Sequence, residues 1–191
     1  HWIDEPEPKS VMHCSIFFDM RPIYGELALA EQLRREVLHQ AQSNRIFLRF
    51  LAAESLTHKP PLGFFRQFVQ ERGGGQSQGL NLKQRGVIPV VDLARVLALE
   101  GALSAVHSEE RLHAAAQAGL CTNNDAANLI QAQRFISRIR LEHQVRQLEA
   151  GEALDHLVDP AKLGSLHRRY LRAAFNVVRS SQQALAQRFL L

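Results

Sequence analysis

Along most of the chain, hydrophobic positions recur every three or four residues, the spacing that lines up one face of an α-helix. From Glu26 to about Gln42 the stripe is Leu27, Ala30, Leu33, Val37 and Ala41, with Arg34, Arg35 and Glu36 largely off it. Asn44 stands where a side-chain cap would open the next helix, whose Phe47, Phe50, Leu51 and Ser55 share a face until His58-Lys59-Pro60-Pro61 stops it. Residues 10 to 20 fit either an alternating strand or a buried helix. A helix is favoured, because helical sequence follows and no partner strand is evident; Arg21-Pro22 ends it, with an exit turn at Tyr24-Gly25.

The stretch with period-two alternation is short. Phe64 to Glu71 reads as the first arm of a hairpin, Gly73 to Gly79 as its loose tip and Leu80 to Lys83 as the return arm. Gly86 breaks the pattern, and Pro89 opens a helix with an apolar face of Val90, Leu93, Ala94 and Leu97 and with Asp92 in its first turn. Ser108-Glu109-Glu110 caps and starts another helix, which Gly119 stops. Thr122 to Asp125 resembles a capping box, and the helix it opens runs to Glu149 before Gly151 ends it. The last helix is expected from Asp159-Pro160 towards Leu191, burying Leu163, Leu166, Tyr170, Ala174, Val177, Leu185 and Phe189. The fold these patterns predict is mainly α, a helical bundle with one short β-hairpin.

Against this apolar framework a few polar residues stand out. Lys83, Asp92 and Arg95 lie near one strand-to-helix junction, and Asp92 and Arg95, three apart, are neighbours on the helix surface. They read as a ligand site or as an exposed ion pair beside a solvated lysine. On the long helix the apolar seam of Leu129, Ala132, Ile136 and Ile139 continues on the same face as Arg140, His143, Gln144 and Gln147. That seam either reaches solvent or ends in a wet pocket where an anion could bind, in which case Arg140, His143 and Gln144 are expected to meet Lys83 and Arg95. Arg111 sits in the first turn of its helix. Asp19 and Arg21 flank the exit turn, as a local salt bridge or as part of a site, and Arg168, Arg169 and Arg172 read most simply as a solvated face.

The chain has 191 residues, enough for one domain with a real core, and a formal charge of +4. Its basic residues are dispersed, with no dense run interleaved with aromatics, so an anionic ligand is allowed and nucleic acid is disfavoured. Cys14 and Cys121, far apart and outside any CxxC, suggest free thiols in a reducing compartment, the cytoplasm by default. No apolar run approaches the roughly 20 residues that span a bilayer, and no signal peptide opens the chain. It begins at His1 and meets an acidic, proline-punctuated segment, which suggests a piece of a longer protein.

Familiar catalytic signatures are missing from the sequence. There is no His-Glu-x-x-His, no Gly-x-Ser-x-Gly, and the glycine triplet at 73 to 75 lacks the Gly-Lys-Ser/Thr of a phosphate-gripping loop. Two-metal phosphoryl transfer needs clustered carboxylates, and there is no Asp-x-Asp; the Gly164-Ser165 pair falls within the last predicted helix. No catalytic residue and no metal site is assigned, and no cofactor is expected on this chain alone.

Five blocks in order, IFFDMRPIYGE (Ile16 to Glu26), LNLKQRGVIPVVDLARVLAL (Leu80 to Leu99), SEERL (Ser108 to Leu112), IRLEHQ (Ile139 to Gln144) and DPAKLGSLHRRYLRAAF (Asp159 to Phe175), resemble one family. It is the nucleotidyltransferases similar to the PII-protein uridylyltransferase, in which CBS and cyclic-nucleotide-binding domains often precede the catalytic domain. The matching part is its C-terminal putative nucleotidyltransferase substrate-binding domain. The resemblance implies that residues 1 to 25 are the tail of an upstream catalytic domain and residues 26 to 191 a helical partner to it. The Gly-Ser and Asp-x-Asp signature, Mg and a nucleoside triphosphate would then belong to the upstream domain. Family-like polar positions are Asp19, Arg21, Lys83, Asp92, Arg95, Arg111, Arg140, His143 and Gln144. Ser108 departs from the more usual Thr, which changes little because either hydroxyl can cap.

The function this implies is a non-catalytic domain that presents a substrate to a nucleotidyltransferase active site in a signal-transduction protein. A rival reading is an interaction module that docks CBS or cyclic-nucleotide-binding domains. A concave pocket lined by Lys83, Arg95 and Arg140 would favour the first, and a flat apolar patch the second.

Overall fold

The computed structural model describes Ile3, Pro6, residues 15–72 and residues 78–191. The class is mainly α, 67% helical, with a small antiparallel sheet. The helices are α1 (Leu27–Ser43), α2 (Arg45–Ser55), α3 (Ile88–Glu100), α4 (Ser108–Gln117), α5 (Asn123–Glu149) and α6 (Ser165–Phe189). The strands are β1 (Glu71–Arg72), β2 (Gln78–Asn81) and β3 (Leu157–Val158). The chain divides into two compact units, one of His1–Thr57, Val91–Ala127 and Gln182–Leu191, the other of His58–Val90 and Asn128–Ser181.

In the first unit, Asn44 caps α2 as its position predicts: its side chain accepts from the backbone N–H groups of Ile46 and Phe47 at 3.1 and 3.0 Å. Phe47, Leu48, Leu51 and Ala52 are buried behind that cap, and α3 buries Leu93, Ala94 and every residue from Val96 to Leu99. Only the last turns of α1 are buried, at Leu38 and Ala41; Leu27 and Leu33 of the expected stripe are about half exposed. Arg188 closes the unit, donating to Glu100 Oε1 at 2.8 Å and to the Leu120 carbonyl at 2.7 Å. Of the helix expected over 10 to 20, residues 10 to 14 lie outside the described residues, and Ser15–Asp19 is a 3-10 turn. Its exit is fixed from outside, by Arg111 on the Phe18 carbonyl and Arg34 on the Met20 carbonyl, so it need not continue as a helix.

In the second unit the sheet order is β1-β2-β3. The first hairpin arm is much shorter than the alternation suggests: residues 64 to 67 form a turn closed by a Leu62–Phe68 bridge, and only Glu71–Arg72 pairs with β2. The tip at 73 to 77 lies outside the described residues. β3 was not foreseen; it pairs Leu80 with Val158 and Asn81 with Leu157. Gly79 permits that approach, since a Cβ there would sit 2.9 Å from the Val158 backbone.

Lys83 is not in the return strand but begins a π-helical turn, Lys83–Val87, that runs directly into α3. Pro89 therefore does not open the helix. A proline inside a helix removes one hydrogen bond and crowds the carbonyl four residues back; the wider turn, in which the Ile88 N–H reaches the Lys83 carbonyl, accommodates it. With the helical path beginning earlier, Asp92 is no longer in a first turn. Gly86 lies buried in the π turn, where a Cβ would come within 2.7 Å of Ile136 on α5.

Other helix ends follow the sequence more closely. Thr122 Oγ1 accepts from the Asp125 N–H at 3.0 Å, completing half of the expected capping box. Gly119 and Gly151 follow their helices in the left-handed region, and the Glu152 N–H returns to the Gln147 carbonyl at 2.9 Å. Ser108 does not cap but is the first helical residue, after His107. Asp159 does cap, accepting from the Ala161 N–H at 2.8 Å, yet it opens only a 3-10 turn, Pro160–Lys162. Leu163 is extended, so α6 starts afresh at Ser165, and Gly164-Ser165 marks a helix boundary and not a helix interior. Along α6 the buried set is Leu171, Ala174, Phe175, Val178, Gln182, Leu185 and Phe189, whereas Leu166 and Tyr170 are exposed. Gln182 disguised that register: a polar residue in the seam, it is buried because its amide donates to the Ser55 carbonyl at 3.2 Å.

Candidate functional site

The polar residues singled out in the sequence fall into two groups, one in each unit. In the first unit Asp19 binds two arginines at once. Its Oδ2 accepts from Arg95 Nη2 at 2.6 Å and its Oδ1 from Arg111 Nη1 at 2.7 Å, while Asp92, one helical turn before Arg95, takes Arg95 Nη1 at 2.7 Å. Arg111 completes its coordination through Nε on the Ala105 carbonyl and Nη2 on the Phe18 carbonyl, both at 2.9 Å. Burial would raise the Asp19 pKa, but the hydrogen bonds and charges of Arg95 and Arg111 hold it below the usual carboxylate value. Every nitrogen of these two buried guanidinium groups already donates to the protein, so the geometry is that of a clamp holding Phe18 and Asp19 against α3 and α4. Arg21 is exposed and forms no ion pair among the described residues.

The second unit gathers Lys83, Arg140, His143 and Gln144 around a residue the sequence did not single out, His156. Lys83 starts the π turn, Arg140, His143 and Gln144 come from successive turns of α5, and His156 immediately precedes β3. Its backbone carbonyl accepts from the Leu82 N–H at 3.0 Å, which fixes it beside the π turn. Gln144 Nε2 lies 3.3 Å from His156 Nδ1 and donates to it, leaving the imidazole proton on Nε2. Burial, then the charges of Lys83 and Arg140, push the His156 pKa down; Asp155 opposes them, and His143 adds to the depression. His156 is thus held neutral among cations. Arg140 carries a buried Nε with no hydrogen-bond partner. Such a donor is costly to leave unsatisfied, and among the described residues no carboxylate reaches it.

His143 joins this group to an open cleft of about 830 Å³. The cleft runs along the end of α5 and past β3, lined by His143, Arg146, Gln147, Asp155 and Lys162 among others. His143 Nε2 is 2.7 Å from Asp155 Oδ1, and Gln147, buried, accepts the Asp155 N–H at 3.1 Å. Arg146, Lys162 and Glu152 on the rim have no ion-pair partner among the described residues. No group of three His, Cys, Asp or Glu side chains among the described residues could hold a metal ion. Cys121 is a free thiol, raised above its usual pKa by burial and by the charge of Asp125. Among the described residues no helix is long and apolar enough to cross a membrane.

His156 and Asp155 escaped the sequence reading because they lie in a loop before a two-residue strand, too short to show alternation. The only signal available was the polar end of the α5 seam, which required polar partners from somewhere else in the chain.

Residues 45–189 match the family model described as putative nucleotidyltransferase substrate binding domain. No curated protein and no solved structure matches the chain.

Proposed function

The chain belongs to the putative nucleotidyltransferase substrate binding domain family, and we propose that it holds the phosphate end of a nucleotidyltransferase substrate on Lys83, Arg140, Gln144 and His156. The observation that carries this reading is the buried Arg140 Nε, left without a protein acceptor beside a histidine whose pKa burial and the charges of Lys83 and Arg140 push down. An anion arriving there supplies the missing acceptor and offsets the charge of Lys83. The adjoining cleft, of a size suited to a drug-sized ligand, takes the polar remainder of the same molecule. Asp19, Asp92, Arg95 and Arg111 contribute to the fold and not to this contact.

The transfer step is placed on an upstream nucleotidyltransferase domain, with Mg and the nucleoside triphosphate. The domain's part is to bind and orient the substrate by charge and hydrogen bonding.

The test is heteronuclear NMR of the chain with labelled histidines, titrated with UTP, ATP and inorganic pyrophosphate at millimolar concentration. The expected result is a saturable shift at His156, with Arg140→Ala weakening binding about tenfold, the loss of one charge-assisted contact. No shift at His156 with any of the three anions would overturn the proposal.

A further inference from the structure

The solvent side of α5 carries a stripe that neither the cluster nor the cleft uses. Leu141, Val145 and Leu148 are 59%, 45% and 70% exposed, although they follow one another at the spacing of a single helix face. The same helix buries Ile136, Ile139 and Gln147 on its opposite side, so the stripe is not a margin of the core. Along one flank of it stand four charges, in the order Arg138, Glu142, Arg146, Glu149, of which Arg146 also reaches the rim of the cleft. Arg138 is held there by Glu142 at 3.5 Å and by stacking 5.3 Å from the centre of the Phe135 ring. Arg146 and Glu149 form no ion pair among the described residues.

We propose that this stripe is the contact between two copies of the chain, with α5 packed antiparallel to α5 of the second copy. The sign order plus, minus, plus, minus becomes its own complement when reversed. Setting Leu141 opposite Leu148 of the second copy brings Arg138 to within about 3 Å, along the axis, of that copy's Glu149, and Glu142 to within about 1.5 Å of its Arg146. A parallel two-fold arrangement would carry the two sets of charges to opposite flanks of the seam, where they do not meet, so the charge order favours the antiparallel one. The contact is therefore two-fold and isologous, the commonest symmetry among soluble oligomers. One helix pair buries less than a standard-size interface, so the dimer is weak and concentration-dependent.

Sedimentation equilibrium of the 191-residue chain from micromolar to near-millimolar concentration tests this. The expected result is a monomer–dimer equilibrium that Val145→Glu shifts at least about tenfold towards monomer. Because Val145 is exposed, the variant should keep its circular dichroism and melting temperature. Arg138→Glu alone should weaken the dimer, and Arg138→Glu with Glu149→Arg should restore it, since the swapped charges again meet across the two-fold. A monomer at every concentration, a dimer indifferent to Val145→Glu, or a double variant no tighter than the single one would each overturn the proposal.

Discussion

His143 Nε2 lies 2.7 Å from Asp155 Oδ1, and the same oxygen accepts the Leu157 N–H at 3.0 Å, so one carboxylate fastens the end of α5 to the start of β3. Between the two bonded residues stands His156. Burial would raise the Asp155 pKa, but the His143 hydrogen bond and the Leu157 N–H leave it below the usual carboxylate value. A carboxyl group with a depressed folded pKa contributes stability that is present above its unfolded value and lost as pH falls through the folded one. Through Asp155, His143 thus holds the loop that carries His156.

His143→Ala should lower stability by about 1 kcal/mol, the net worth of a part-exposed hydrogen bond. It should also weaken anion binding at His156, because β3 loses its anchor. Calorimetry at pH 7 and the histidine NMR titration read the two effects separately. A variant of unchanged stability and affinity would show that the Leu157 N–H alone holds Asp155 in place.

Arg111 makes the opposite prediction to Arg140. Its side chain is 4% exposed and pairs with Asp19, which keeps 37% exposure. Arg111→Ala strands Asp19 with one partner and leaves the Phe18 and Ala105 carbonyls without their donor. The expected loss is about 2 to 3 kcal/mol, below the usual cost of breaking a buried pair because Asp19 retains some solvent. Arg140→Ala should cost little, since it removes a buried nitrogen that bonds to nothing. Urea denaturation of the two variants side by side decides the ranking, and equal losses would contradict it.

Gly86→Ala should destabilise by about 1 to 3 kcal/mol through overpacking, since the new methyl would fall 2.7 Å from Ile136 Cγ2. Ile136→Val keeps a methyl at both γ positions and so leaves this contact in place, whereas Ile136→Ala in the Gly86→Ala background removes it and is the cleaner rescue. A smaller loss in the double variant than the sum of the two single losses, by thermal melting, is the expected signature.

The sequence made the helices legible and their long-range partners much less so. Asn44, Thr122 and Gly151 act within a few residues of themselves, and each does in the structure what its local chemistry required. Pro89 misled because its tolerance depends on a π turn, a departure from the helical period that no single residue announces. The α6 register was lost at Gln182, a polar side chain whose burial depends on a carbonyl 127 positions away. Of the residues expected to meet Arg140, His143 and Gln144, Lys83 belongs to their group and Arg95 to the other. Asp19 is what separates them: its bonds to Arg95 and Arg111 span 76 and 92 residues, distances over which spacing carries no information.

The proton on His156 gives the last prediction. The imidazole faces Lys83, Arg140 and His143, with Asp155 as the nearby opposing charge, and its pKa lies below the ordinary histidine value. In the unfolded chain that value is about 6.5. Between the two pKa values the unfolded state binds the extra proton, so the stability contributed by neutral His156 is full above about pH 6.5 and is lost as pH falls through the folded pKa. An anion bound beside the ring reverses the balance by favouring the imidazolium. Binding of phosphate-bearing ligands should therefore tighten as pH falls towards the folded pKa and should be accompanied by proton uptake. Once charged, His156 can no longer accept from Gln144, whose amide must turn to offer its oxygen. Isothermal titration of pyrophosphate in buffers of different ionisation enthalpy measures the uptake directly. His156→Gln should retain some binding but abolish its pH dependence below neutrality, and affinity that stays flat from pH 7.5 to pH 5.5 in the unmodified chain would show that His156 does not sense the anion.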